Sequence, residues 1–237
     1  NCGFMAMDPT NGHVKAWIGG INYKYFKFDH ISQSRRQPGS TFKPFVYGAA
    51  IENEIINPCD ELVDEPVTFG EEDGLTGSTW TPQNSDGKFS YENLKMRRAM
   101  GLSINSISAK LMKQLGPAKI AEFAHKCGVN SPLNEVPSLC LGASEVSLLD
   151  QVTGYSTMAN GGEKVMLYLV VQSPETPSNQ WALLREIGRC FDLMNGPTVF
   201  HVAIVVGTRK ILHVFPNMRR LCGQGQDDST DEMMHEK

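Results

Sequence analysis

The chain opens on an alternating stretch, Phe4 and Ala6 against Met5 and Met7. The turn Asp8-Pro9-Thr10-Asn11-Gly12 follows, and then Val14, Ala16 and Ile18 against Lys15 and Trp17. Period-two alternation on both sides of a turn sequence predicts a β-hairpin. Residues 20 to 39 have no helical period, gather Lys24, Lys27, Arg35 and Arg36, and end in Pro38-Gly39, so they predict a loop. Ser40 to Asn53 places Phe42, Phe45, Val46, Ala49 and Ala50 on more than one face, which predicts a largely buried helix. Tyr91 to Met100 and Asn105 to Leu115 read as two helices broken near Gly101-Leu102-Ser103, and Pro117 to Cys127 as a third stopping at Gly128. Ser144, ahead of Val146, Leu148, Leu149, Val152 and Tyr155, predicts the N-cap of a fourth, closed by Asn160-Gly161-Gly162. Further on, Trp181 to Met194 predicts a helix, Val199 to Val206 and Ile211 to Phe215 a strand pair, and Gly223 to Lys237 a disordered acidic tail.

The 237 residues are 41% hydrophobic and 20% charged, enough for one core and a small satellite lobe. A formal charge of -4 argues against a global electrostatic hold on nucleic acid. The longest apolar run, Val165 to Val171, is far short of the roughly 20 residues of a spanning helix. A start that enters at once into strand-like sequence, with no signal-peptide pattern, predicts a fragment. Between Pro44 and Gly87 there is no Lys or Arg, while acidic residues including Glu52, Asp60, Asp64, Glu65, Glu71, Glu72, Asp73 and Asp86 accumulate. Such a run reads as a solvated acidic excursion. The cysteines are scattered without a Cys-x-x-Cys pair, and the histidines stand in unrelated contexts, so neither a metal site nor a histidine-based triad is indicated.

One constellation carries chemistry. Ser40-Thr41-Phe42-Lys43 sets a hydroxyl and an amine three residues apart, on one face of a helix, where an unprotonated lysine can act as the base that activates the serine. Phe42, Phe45 and Val46 around Lys43 predict the burial that would lower its pKa. Ser-x-x-Lys also occurs by chance at this length, and Ser85-Asp86-Gly87-Lys88 is a second instance in a polar turn. Position favours Ser40: Pro38-Gly39 sets it at a helix start, where free amides favour developing negative charge. Pro44, which has no N–H, fits a helix beginning just after Ser40.

The run Arg36-Gln37-Pro38-Gly39-Ser40-Thr41-Phe42-Lys43-Pro44-Phe45-Val46-Tyr47 resembles the transpeptidase domain of class A penicillin-binding proteins. The same holds for Ala6 to Gly12, Trp17 to Gly20, Trp80-Thr81-Pro82-Gln83-Asn84, Ala99 to Ser106, and Tyr155 to Gly162. The resemblance covers about residues 1–162. It implies an α/β fold of the α+β type shared with serine β-lactamases: an antiparallel sheet packed with helices, plus a helical subdomain. It implies Ser40 as nucleophile, Lys43 as its base, Ser103 as a proton relay, and Asn105 as a partner of the substrate backbone, with Trp80 and Asn84 as substrate-binding residues at the cleft edge. By the same resemblance the substrate is a peptidoglycan stem peptide ending in D-Ala-D-Ala, β-lactam antibiotics are ligands, and no metal or cofactor is used. The expected location is the periplasmic face of the bacterial cytoplasmic membrane.

The sequence departs from the family in one respect: Lys-Thr-Gly or Lys-Ser-Gly, its third motif, occurs nowhere in the 237 residues. In the family that strand binds the substrate carboxylate and completes the oxyanion hole, and losing such a donor costs about 10²- to 10³-fold in rate. The reading is therefore a partial transpeptidase domain over 1–162, a divergent segment over 163–222 and a tail over 223–237. A frameshifted or chimeric sequence after Gly162 and a truly diverged one both stay open. Two rivals stand beside the transpeptidase. A β-lactamase lacks support because no Glu-x-x-Leu-Asn segment is present. A non-catalytic domain would bind stem peptide or a cell-wall synthesis partner without turnover.

Overall fold

The computed structural model describes residues 2–22 and 24–167. The helix expected over Trp181–Met194, the strand pair and the acidic tail lie outside the described residues.

The hairpin forms as expected: β1 (Phe4–Met7) runs antiparallel to β2 (Val14–Ile18), pairing Phe4 with Ile18 and Met5 with Trp17. Asp8 builds the turn by accepting from the Thr10 amide at 3.0 Å, the Thr10 hydroxyl at 2.7 Å and the Asn11 amide group at 3.1 Å. Met5 and Met7 pack with Ile31 and Val152 in a small core of their own.

The main core surrounds α1 (Lys43–Glu52), which buries Phe45, Val46, Tyr47, Ala49 and Ala50 on several faces. A 3-10 turn over Gly39–Phe42 leads into it, so the expected helix from Ser40 has a tighter first turn. Around it pack α3 (Asn105–Leu115) and α4 (Pro117–Cys127), both with the predicted bounds, the latter ending at Gly128 in the left-handed region. Gly128 is enforced there by φ +111, which a Cβ disfavours.

Two expectations shift, each because a long-range strand pair overrides local pattern. The first half of Tyr91 to Met100 is drawn into β5 (Asn93–Lys95), paired with β4 (Glu61–Val63), leaving only α2 (Met96–Gly101) helical. The fourth helix starts at Leu148, not after Ser144, because Val146–Ser147 forms β6 and pairs with β3 (Arg35–Arg36) inside the expected loop. Ser147 therefore caps α5 (Leu148–Ala159), accepting from the Asp150 amide at 3.1 Å, and Ser144 instead accepts from the Asn134 amide at 2.9 Å. Among the described residues the strands make three two-stranded antiparallel pairs. No helix among them is long and apolar enough to cross a membrane.

Asp150 ties α5 to the loop after α4. Its carboxylate accepts from the Ser131 amide at 2.9 Å, the Ser131 hydroxyl at 2.5 Å and Asn130 at 3.4 Å. Burial alone would raise its pKa, but these bonds and that of Ser147 outweigh it and hold the group below the ordinary 3.8. A carboxylate depressed in the folded state stabilises the fold above the unfolded pKa, and that stability is lost as pH falls through the folded value. The urea midpoint of the full chain should therefore drop on acidification below pH ~4. In Asp150→Asn it should be lower at neutral pH, and the acid limb flatter; an unchanged limb would contradict the assignment.

Candidate active site

Ser40 lies in the Gly39–Phe42 turn and is exposed, while Lys43, the next residue after that turn, is 2% exposed. In a 3-10 turn residues three apart eclipse one another, so the turn stacks Ser40 and Lys43 on one face more closely than an α-helix would. The Lys43 amide donates to the Ser40 carbonyl, taking up the acceptor that Pro44 has no N–H to serve.

The Lys43 side chain leaves α1 and reaches the junction of α2 and α3. Its Nζ donates to the Ser103 carbonyl at 2.6 Å, to Ser103 Oγ at 3.0 Å and to Asn105 Oδ1 at 2.6 Å. Ser103 has φ +56, a left-handed conformation uncommon for a residue with a side chain, and in it both of its oxygens reach the same amine. Burial lowers the Lys43 pKa from 10.5 to about 8. The nearby Cys140 thiol, itself pushed by burial up to about 12, acts in the opposite direction on the amine and offsets only part of that lowering. Of the three acceptors only Ser103 Oγ carries a proton of its own. When Lys43 is neutral, with two N–H groups and one lone pair, that hydroxyl is the partner able to reverse the bond and donate.

The acidic run is not uniformly solvated. Asp64 is 2% exposed and accepts from Asn84 Nδ2 at 2.8 Å, the Ser90 amide and hydroxyl at 2.9 Å each, and Ser106 Oγ at 2.5 Å. Other members of the run pair with α3: Glu65 with Lys110 at 2.6 Å, Glu72 and Asp73 with Lys113 at 3.4 and 3.3 Å. Asn84, expected at the substrate, is buried and spent on the protein. Its Nδ2 also donates to the Lys88 carbonyl at 2.9 Å, and its Oδ1 accepts from the Asn105 and Ser106 amides at 3.0 and 3.1 Å. All four hydrogen-bonding positions of its amide are thereby filled, which leaves none for a substrate. Trp80 pairs with Phe69 as an isolated bridge, with rings stacked 5.4 Å apart at 27°. Asn105 Nδ2 donates to the Gln83 carbonyl at 2.7 Å, leaving its second N–H for another acceptor. The structure thus brings together Lys43, Ser103 and Asn105, sets Ser40 one turn from Lys43, and moves Asn84 into the supporting framework.

Sequence reasoning missed four supporting residues. Asp64 follows Leu62 at strand spacing and so shares its inward face, a position where a carboxylate is a signal of burial. Gln151 and Tyr155, four apart on α5, both donate to the Thr41 carbonyl, at 2.8 and 2.7 Å, holding the residue beside Ser40. Gly142 lies against the same turn, its carbonyl accepting from the Gly39 amide at 3.3 Å. A Cβ on Gly142, which has φ +70, would fall 2.2 Å from the Gly39 carbonyl oxygen.

A family model for the penicillin binding protein transpeptidase domain matches residues 2–183, beyond the Gly162 where the resemblance was expected to fade. Penicillin-binding protein 1A of Rickettsia felis is 36% identical over 170 residues, covering 72% of this chain and 21% of that protein. Penicillin-binding protein 2D of Bacillus subtilis is 34% identical over 163 residues, covering 69% and 23%. The crystal structure of penicillin-binding protein 1A from Haemophilus influenzae superposes with a TM-score of 0.64 at 28% identity, over 70% of this chain and 24% of that one. PonA1 from Mycobacterium tuberculosis in complex with penicillin V gives 0.59 at 26% identity, over 70% and 45%. The chain belongs to the penicillin-binding protein transpeptidase domain family, and its fold is of that kind. It spans about a fifth of the length of the curated relatives it matches.

Gly142→Ala should destabilise the full chain by about 1–3 kcal/mol, read from urea unfolding, because the new methyl meets backbone that cannot swing aside. Gly101→Ala, a helical position whose Cβ meets open space, should instead stabilise it by about 0.4–1 kcal/mol.

Proposed function

We propose that this chain carries the acylating site of a peptidoglycan D,D-transpeptidase, with Ser40 as nucleophile and Lys43 as general base. One observation supports this above the others: a lysine buried to 2% exposure, one turn from Ser40, bonded to a serine hydroxyl and an Asn carboxamide, with its pKa lowered to about 8. In the reaction, neutral Lys43 takes the Ser40 proton as Oγ attacks the carbonyl between the last two D-alanines of a stem peptide. The proton passes through Ser103 to the departing amine, the peptide C–N bond breaks, and D-alanine leaves an ester on Ser40. The amine of a second stem peptide then attacks that ester, forming the cross-link and returning the proton to Ser40. The free N–H of Asn105 orients the peptide backbone. β-Lactams enter the first half of this cycle: Ser40 opens the ring amide and the ring nitrogen takes the proton. The work is done in the cell envelope, on the periplasmic face of the cytoplasmic membrane, where the relatives' wall-building role would place it.

A second reading, a domain that binds stem peptide without turnover, draws on the absence of Lys-Thr-Gly and Lys-Ser-Gly from the sequence. Labelling the full chain with a fluorescent penicillin separates the two. A covalent band that disappears in Ser40→Ala is expected. No band in the parent chain favours the binding-only reading, and a band that survives Ser40→Ala overturns the nucleophile.

The labelling rate should rise with pH and level off above about 8, because only the neutral amine accepts the serine proton and its pKa is about 8. A rate independent of pH between 6 and 9.5, about 1.5 to 2 pH units either side of that value, would contradict Lys43 as the base.

A further inference from the structure

Ser103 and Asn105, the two residues that hold Lys43, sit at the start of α3, and α3 does not secure its own start. Its N-cap is Ile104, which makes no side-chain cap bond. The first amides of the helix are instead taken by Asn84 Oδ1, from Asn105 at 3.0 Å and Ser106 at 3.1 Å. An Asn from a distant segment thus does the work of a local N-cap. Asn84 is oriented by Asp64, which accepts from its Nδ2 at 2.8 Å, together with the Lys88 carbonyl at 2.9 Å, and Asp64 also grips the helix directly through Ser106 Oγ at 2.5 Å.

We propose that Asp64 is a positioning residue of the Lys43 site: through Asn84 and Ser106 it fixes the first turn of α3, and with it the Ser103 and Asn105 oxygens that hold the amine. The inference rests on the reading of Lys43 as general base.

The chemistry of the position asks for an ionised carboxylate. Four donors converge on Asp64, from Asn84, the Ser90 amide, the Ser90 hydroxyl and Ser106, and two carboxylate oxygens have acceptor sites for all of them. An Asn there would turn N–H groups toward donors. Burial would raise the Asp64 pKa, but the bonds from Ser106, Ser90 and Asn84 outweigh it and hold the group below its ordinary range. The cations nearest in sequence on α3 are engaged elsewhere, Lys110 with Glu65 and Lys113 with Glu72 and Asp73. The negative charge of Asp64 therefore sits at the start of α3, the end of the helix dipole that favours it. At the other end of the chain of contacts, the Cys140 thiol is the titratable group beside Lys43 among the described residues; it is itself pushed by burial up to about 12, and its influence on the amine is upward and smaller than that of burial. If the start of α3 loosens, Ser103 is freed from its left-handed conformation, water reaches Nζ, and the Lys43 pKa rises toward 10.5.

The test uses the full chain with isotope-labelled lysine, following the Lys43 resonance by NMR titration and assigning it by its loss in Lys43→Arg. In Asp64→Asn, with folding checked by circular dichroism, Lys43 should titrate closer to 10.5, and penicillin labelling at neutral pH should slow about tenfold or more with its pH profile displaced to the alkaline side. The exchanged pair Asp64→Asn/Asn84→Asp restores one donor and one acceptor between the two positions and should return the titration toward the parent. Ser106→Ala, which removes a single bond, should move it in the same direction by less. A folded Asp64→Asn chain whose Lys43 titrates as in the parent overturns the proposal. If Asp64→Asn does not fold, an unmoved Lys43 in Ser106→Ala overturns it instead. Because the titration needs no penicillin, a chain that takes no label would defeat the base assignment while leaving the role of Asp64 separately decided.

Discussion

A buried cation, Lys43, sets the terms for the middle of the described residues. Lys43 is 2% exposed, and an ammonium taken out of water must find oxygen partners or give up its proton. The fold supplies both routes. Three oxygens from Ser103 and Asn105 surround Nζ, so the charged form is tolerated, and burial still brings the pKa down to about 8, so the neutral form is within reach. The geometry of α1, the left-handed Ser103 and the break between α2 and α3 all answer to that one requirement.

Around the lysine the support falls into two groups anchored in different parts of the chain. The Ser40 side is held from α5 and its preceding turn: Gln151 and Tyr155 fix the Thr41 carbonyl, and Gly142 lies against Gly39. The Ser103 side is held from the acidic segment, through Asp64 and Asn84. Ser40 and Ser103 are thus braced independently, and Lys43 is the element common to both. Such an arrangement keeps the three side chains in place without asking any one loop to be rigid by itself.

Much of this was legible in sequence, for reasons that differ by element. The hairpin, α3 and α4 carry strong periodicity and turn or cap residues at their ends, so their bounds follow from local chemistry. Ser40, Lys43, Ser103 and Asn105 were found through spacing and family resemblance, and the structure brings the last three into direct contact. What failed was decided at long range. Asn93–Lys95 and Val146–Ser147 have partners in β4 and β3 that no window reveals, and those partners relocated the starts of α2 and α5. Asp64 was submerged in a run of exposed carboxylates, where composition suggested water and only packing shows that one member turns inward. Asn84 belongs to a run that resembles a cleft-edge segment of the family, but its four hydrogen-bonding positions are consumed by the framework.

The external capping of α3 has a further consequence, for how the site comes into being. Lys43 meets partners 60 and 62 positions away in sequence, and Asn84 secures amides 21 and 22 positions away. Contacts of that separation repay their loop-closure entropy only once the intervening chain has collapsed, so they belong to the later stages of folding. The bounds of α3 and α4 follow local rules, but the oxygen cradle around Lys43 is complete only after the acidic segment has docked. The lowered pKa of that amine is therefore a property of the finished tertiary structure, which partly folded chains with native helices do not share.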